Sequence, residues 1–162
     1  MIKCLRVDHR LLHGQVAFSW TSALGADCIL IANDSVMDDE VRKTTIKLAK
    51  PSGAKLVIKT IKDSIEAINS GVTDKYHLFI VVESIEDAYQ LAKSCPQIKE
   101  INLGGTKARE GTRSISKAMN VTAKEEERIN ELMNDGVKVE IRMIPLDKSI
   151  DARTALKEGG VK

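Results

Sequence analysis

An arginine stands three positions ahead of a histidine in the stretch Arg6-Val7-Asp8-His9-Arg10-Leu11-Leu12-His13-Gly14-Gln15. A neutral imidazole nitrogen can attack phosphorus, and a nearby guanidinium can grip the transferring oxygens in a fork that a lysine does not reproduce. The apolar run Ile2 to Val7 reads as a strand, while Val16, Ala17, Trp20, Ala23 and Leu24 recur at helical spacing. His13 is therefore expected close to a helix N-terminus, where unpaired backbone N–H groups attract anions. That makes His13 the candidate carrier of a phosphoryl group and Arg10 the candidate fork.

The neighbours fit supporting roles. Asp8 suits orienting Arg10 or His13 through a charge-assisted hydrogen bond, and suits capping the loop equally well. Arg6, at the strand end, reads as a loop anchor held by buried ion pairs rather than as a phosphate ligand. Gly14 allows close backbone approach and Gln15 offers both a donor and an acceptor, so both read as phosphate-binding or loop-support residues. Trp20 falls in register with Val16 and Ala23 and reads as core. His77 has no carboxylate or cysteine near it in sequence and reads as a core or strand-edge histidine.

The elements that must position these residues follow from apolar periodicity. Strands are predicted at Ile2–Val7, Cys28–Ala32, Lys55–Ile58, Leu78–Val82, Ile98–Leu103 and Val137–Ile141, with a further short one at Met119–Val121. Helices are predicted near Gly14–Leu24, Met37–Ala49, Ile61–Asn69, Ile85–Ser94 and Ala123–Asn134, opened by the cap residues Ser35, Thr60, Ser84 and Thr122, with a final helix over Leu146–Leu156. This alternation predicts an α/β fold, a doubly wound, mostly parallel open sheet with helices on both faces.

Ligands in such sheets collect beyond the carboxyl ends of the strands. Three loops are expected to meet there: the one with Arg10 and His13, the one with Asn33 and Asp34, and the one with Gly104, Gly105, Thr106 and Lys107. Asn33, Asp34, Gly104 and Gly105 are thus candidates for second-loop contacts. The segment from Gly105 to Arg113 lacks the glycine-lysine-serine/threonine ending of a nucleotide-binding loop, so ATP binding is not supported. Its Lys107, Arg109 and Arg113 read either as a patch that meets acidic partners or as an ordinary solvated loop. No dinucleotide fingerprint, metal-spaced Cys/His cluster or Ser/His/Asp series occurs, so neither a cofactor nor a metal is expected.

Composition narrows the classes further. The 162 residues, 43% of them hydrophobic, fit a single domain over 1–162. A formal net charge of +2 gives no reason to invoke nucleic acid or an anionic membrane. Cys4, Cys28 and Cys95 are an odd number without metal spacing and read as buried thiols in a reducing cytosol. The chain opens directly into a strand with no apolar signal segment, and its longest apolar runs fall far short of the ~20 residues of a membrane-spanning helix, so a soluble protein is expected.

The motif resembles the active loop of the IIB components of the mannose/fructose/sorbose family of the bacterial sugar phosphotransferase system, whose pattern is Arg-Ile/Val-Asp-x-Arg-x-Ile/Leu-His-Gly-Gln. Arg6, Val7, Asp8, Arg10, Leu12, His13, Gly14 and Gln15 fill every fixed position, and the resemblance extends through Asn33-Asp34 and Asn102-Leu103-Gly104-Gly105. It implies that His13 is the phosphorylated residue, while His9 falls at a variable position. It implies a protein-N(pi)-phosphohistidine-sugar phosphotransferase that takes phosphate from a phosphorylated IIA protein or domain and passes it to a sugar carried by membrane IIC and IID components. The implied location is cytoplasmic, peripherally associated with the transporter complex. Two other classes explain the loop alone: a non-catalytic module that binds a phosphorylated ligand, and a small phosphate-ester hydrolase, which would need a carboxylate or metal to activate water.

Overall fold

Fully apolar strand runs alternating with capped amphipathic segments must stack as helix, sheet and helix, because such strands need cover on both faces. The computed structural model, which describes residues 1–158, shows that arrangement. The chain runs β1 (Ile2–Asp8), α1 (Gly14–Leu24), β2 (Cys28–Ala32), α2 (Glu40–Leu48), β3 (Lys55–Lys59), α3 (Ile61–Asn69), β4 (Leu78–Val82) and α4 (Ile85–Ser94). It continues through β5 (Glu100–Gly105), β6 (Arg113–Ser114), β7 (Asn120–Val121), α5 (Ala123–Asn134), β8 (Lys138–Ile141), β9 (Ile150–Asp151) and α6 (Ala152–Glu158). Seven strands form one sheet in the order β3-β2-β4-β1-β5-β8-β9, parallel except for β9, and β6 pairs with β7 in a separate antiparallel ribbon. Among the described residues no helix is long and apolar enough to cross a membrane.

The two faces bury different sets. Leu5 and Val7 of β1 point into a large core with Ile80, Ile85, Leu91, Leu103, Ile129 and Ala155, beneath α3 to α6. Cys4 points the other way, into a smaller core with Trp20, Ile29, Ile31, Ile46 and Phe79, beneath α1 and α2. Strand side chains alternate between faces, so Arg6 and Asp8 share the α1 face with Cys4. After β1 the chain enters α1 on one face, while after the flanking β4 and β5 it turns into α4 and α5 on the other. The crevice therefore opens at the carboxyl end of β1.

Most predicted boundaries hold to within a residue or two, and Thr60, Ser84 and Thr122 each accept the amide three residues on, with Glu125 completing a capping box at Thr122. Three expectations need correction. The helix predicted over Met37–Ala49 is a short 3-10 turn at Ser35–Asp38 followed by α2, because Asp39 adopts an extended conformation and caps α2 by accepting from the Arg42 amide. The strand predicted at Ile98–Leu103 is shifted to Glu100–Gly105, with Ile98 buried in the lead-in. The helix predicted over Leu146–Leu156 starts only at Ala152: Asp147 closes a turn onto Ile144, and Ile150–Asp151 pair antiparallel with Glu140 and Ile141 at the sheet edge.

Candidate active site

The loop after β1 is built around Asp8. The Leu11 amide donates to the Asp8 carbonyl at 2.9 Å, closing a turn in which Leu11 takes φ +59, an uncommon conformation for a residue with a Cβ. Burial of the Leu11 and Leu12 side chains holds that turn down. His13 follows as the N-cap of α1: its carbonyl accepts from the Ala17 amide, while its side chain makes no capping bond. No acidic residue lies in the first turn of α1, so its amides face outward unneutralised. Gly14 opens the helix at φ +43, which glycine adopts without a Cβ penalty.

The imidazole instead turns to Asp8. Nε2 of His13 lies 3.0 Å from Asp8 Oδ2, and the same oxygen accepts from Arg6 Nη2 at 3.1 Å. Asp8 Oδ1 accepts from the Arg10 amide at 3.0 Å. Burial alone would push the Asp8 carboxyl up, but the hydrogen bonds from His13 and the Arg10 amide and the charge of Arg6 together hold it below its ordinary value. An ionised carboxylate only accepts, so in the neutral ring Nε2 of His13 carries the proton and Nδ1 the lone pair. The Arg10 side chain is 56% exposed with its Nε 3.9 Å from Asp8 Oδ1, which leaves its fork free for another anion.

A carboxyl with a depressed folded-state value contributes stability that is complete above the ordinary value of 3.8 and fades as pH falls through the lower one. The wild type is expected to lose more urea stability between about pH 5 and pH 3 than Asp8→Asn does. Equal losses would show that Asp8 is not a group responsible.

Arg6 is the anchor behind this arrangement. It is 1% exposed, and its Nη1 donates to Asn102 Oδ1 at 2.6 Å and to the Arg142 carbonyl at 3.2 Å. Its guanidinium and that of Arg142 lie 5.2 and 5.3 Å from the centroid of the Trp20 ring, whose Nε1 donates to the Met143 carbonyl. A Cβ on Gly104 would collide with the Arg6 guanidinium, so glycine there is a requirement of space.

The other expected contacts divide. Gly105 comes to the loop through its carbonyl, which accepts from the His9 amide at 3.0 Å. Gln15 is exposed on the first turn of α1. Asn33 and Asp34 serve their own loop: Asn33 Oδ1 accepts from Ser35 Oγ and the Val36 amide, and Asp34 Oδ1 from the Ile61 amide at 2.8 Å. Strand β4 separates that loop from β1, and the residue that bridges the gap is Arg42, donating to the His9 carbonyl at 3.2 Å and to Glu83 at 2.9 Å. Sequence reading missed Arg42, Glu83 and Arg142, and named Asn102 only within the stretch that carries the resemblance, without a role. Only Asn102, a lone polar residue between Ile101 and Leu103, carried a local signal.

The basic loop is largely charge-balanced. Arg109 pairs with Glu125 at 2.8 Å, and Arg113 grips Glu126 through two nitrogens at 3.0 and 2.6 Å. These pairs favour the solvated-loop reading. His77 sits at the opposite end of the sheet, where its amide donates to Asp27. The His9 imidazole value is lowered by burial, against the pull of Asp8. All three cysteines are free and buried, and burial with nearby Glu140 and Glu100 pushes the Cys4 thiol up to about 12.

A mostly parallel open sheet with a carboxylate-held histidine at a helix N-terminus defines the α/β domain. The model of the phosphotransferase system sorbose subfamily IIB component matches residues 2–162, and the chain belongs to that family. A sorbose-specific EIIB component of Lacticaseibacillus casei is 32% identical over 158 residues, 98% of this chain and 96% of that one. A probable phosphotransferase enzyme IIB component of Streptococcus pyogenes is 40% identical over 103 residues, 64% of this chain and 63% of that one. The crystal structure of the IIB domain of the sorbose permease from Klebsiella pneumoniae superposes with a TM-score of 0.92 at 28% identity, covering 100% of this chain and 99% of that domain.

Proposed function

We propose that the protein is a phosphoryl relay in which His13 accepts phosphate from a phosphohistidine of a IIA partner and hands it to a sugar carried by membrane IIC and IID components. The relay works on the cytoplasmic side, against the transporter. The observation that carries this reading is the 3.0 Å contact between His13 Nε2 and Asp8, which leaves Nδ1 as the nucleophile. A IIA donor is supported by a relative in Escherichia coli, 27% identical over 150 residues, named the mannose-specific EIIAB component, of which this chain matches 46%.

In the first transfer Nδ1 attacks phosphorus while the donor N–P bond breaks and the donor ring keeps the electron pair. The product ring carries phosphorus on Nδ1 and hydrogen on Nε2 and is cationic, a state the Asp8 carboxylate stabilises. In the second transfer a sugar hydroxyl attacks, and the electron pair returns to Nδ1 as neutral imidazole departs. The base for that hydroxyl falls to the membrane partner. Alignment and charge stabilisation lower both barriers, with Arg10 and the α1 amides set to meet the equatorial oxygens.

Single-turnover transfer from a phosphoenolpyruvate-driven donor chain tests the reading. Arg10→Lys keeps the charge and loses the fork, and is expected to slow transfer by about 30- to 1,000-fold, the ~2–4 kcal/mol of a lost transition-state contact, with normal melting. Wild-type rates in that variant would remove Arg10 from the phosphoryl clamp.

A further inference from the structure

A polar row crosses the α1 face of the sheet where apolar residues would be the default. Strand register places Arg6 beside Asn102 and Asn102 beside Glu140, so these three side chains lie abreast on the face that carries Asp8. Asn102 is 1% exposed and uses both ends of its amide. Its Oδ1 accepts from Arg6 Nη1 at 2.6 Å, and its Nδ2 donates to the Arg142 carbonyl at 3.0 Å and toward Glu140 at 3.4 Å. Arg142 in turn grips Glu140 through Nε and Nη2 at 2.9 and 2.7 Å, so that carboxylate is already matched by its own cation.

We propose that Asn102 is a positioning residue for phosphoryl transfer: its neutral amide oxygen holds Arg6 against Asp8, and Asp8 thereby holds His13 in the Nε2–H form with Nδ1 free. This rests on the reading of His13 as phosphoryl acceptor and extends it to a residue that touches neither phosphate nor imidazole. Neutrality is the chemical point. A carboxylate at 102 would accept from Arg6 equally well but would divide its charge between two anions and add a third to the row with Asp8 and Glu140. An aliphatic residue would strip a donor of its partner from a buried guanidinium whose Nε already has none. Gly104, two residues on along the same face, leaves the space that lets Arg6 lie flat against its partners.

The test uses Asn102→Asp, nearly the same size, and Asn102→Ser, which removes the long acceptor without adding charge. Nitrogen NMR of the neutral His13 ring reads the tautomer without any need for activity. Wild type is expected to be Nε2–H, and both variants to show a mixture with Nδ1–H. Single-turnover transfer at saturating donor should fall about 10- to 100-fold, the usual effect of removing a residue that orients a ligating or reacting histidine, with the half-saturating donor concentration unchanged. Folded variants with the wild-type tautomer and rate would overturn the proposal, and so would a failure of both to fold, which would assign Asn102 to stability alone. A wild-type protein that takes no phosphate, while the variants still shift the tautomer, would sink the relay reading and leave the hold of Asn102 on His13 standing.

Discussion

Asp8→Asn is expected to slow phosphoryl transfer by about 1,000- to 10,000-fold, the size of effect seen when the carboxylate that orients a catalytic histidine becomes an amide. An amide can turn its NH2 toward Nε2, which then accepts, and the ring proton moves to Nδ1, the nitrogen that must attack. The same change leaves the Arg6 guanidinium, 1% exposed, without its anion. Breaking a buried pair costs about 3–5 kcal/mol, a large share of the ~5–15 kcal/mol of a typical domain. The variant should therefore melt lower but remain folded when cold, and the rate is to be read there, at saturating donor. A cold, folded Asp8→Asn protein that transfers at the wild-type rate would show that the carboxylate does not set the reactive nitrogen.

His13→Gln is expected to abolish phosphate uptake, because glutamine keeps hydrogen-bonding capacity but has no nucleophilic ring nitrogen. A module that merely binds a phosphorylated ligand would tolerate that replacement. His9→Ala provides the contrast: His9 enters the loop through its backbone, with its amide on Gly105 and its carbonyl on Arg42, and both bonds survive loss of the ring. Phosphate uptake should persist in His9→Ala near the wild-type extent. The reverse pattern, uptake lost with His9 and kept with His13→Gln, would move the reaction to the other histidine.

What could be read from the chain alone follows from how local each cause is. The uninterrupted runs Cys28–Ala32 and Leu78–Val82 are buried from end to end, and Thr60, Ser84 and Thr122 act within one helical turn of themselves, so these elements were legible. The start of α2 was not, because Ser35 and Asp39 are both good cap residues and the choice between them depends on Asn33 organising the 3-10 turn. Ile150–Asp151 is a strand only because the edge of β8 is there to pair with it.

The site divides in the same way. Asp8, Arg10 and His13 lie within six residues of one another, so their relation is a matter of local geometry. Asn102, Arg142 and Trp20 reach Arg6 through strand register and helix packing that spacing does not encode. The turn at Leu11 was hidden because no glycine marks its positive φ. The basic loop could not be resolved from sequence because a count of Arg109 and Arg113 omits Glu125 and Glu126, with which they pair from α5.

Phosphorus and nitrogen NMR of the ring-labelled wild-type protein, phosphorylated by a phosphoenolpyruvate-driven donor chain, measures the central claim most directly by locating the bond itself. The expected result is a single acid-labile phosphoramidate on Nδ1 of His13, with Nε2 still protonated and bonded to Asp8. Phosphate on Nε2 of His13, or on any other residue, would contradict the account, since the nitrogen that faces Asp8 would then be the one that reacts.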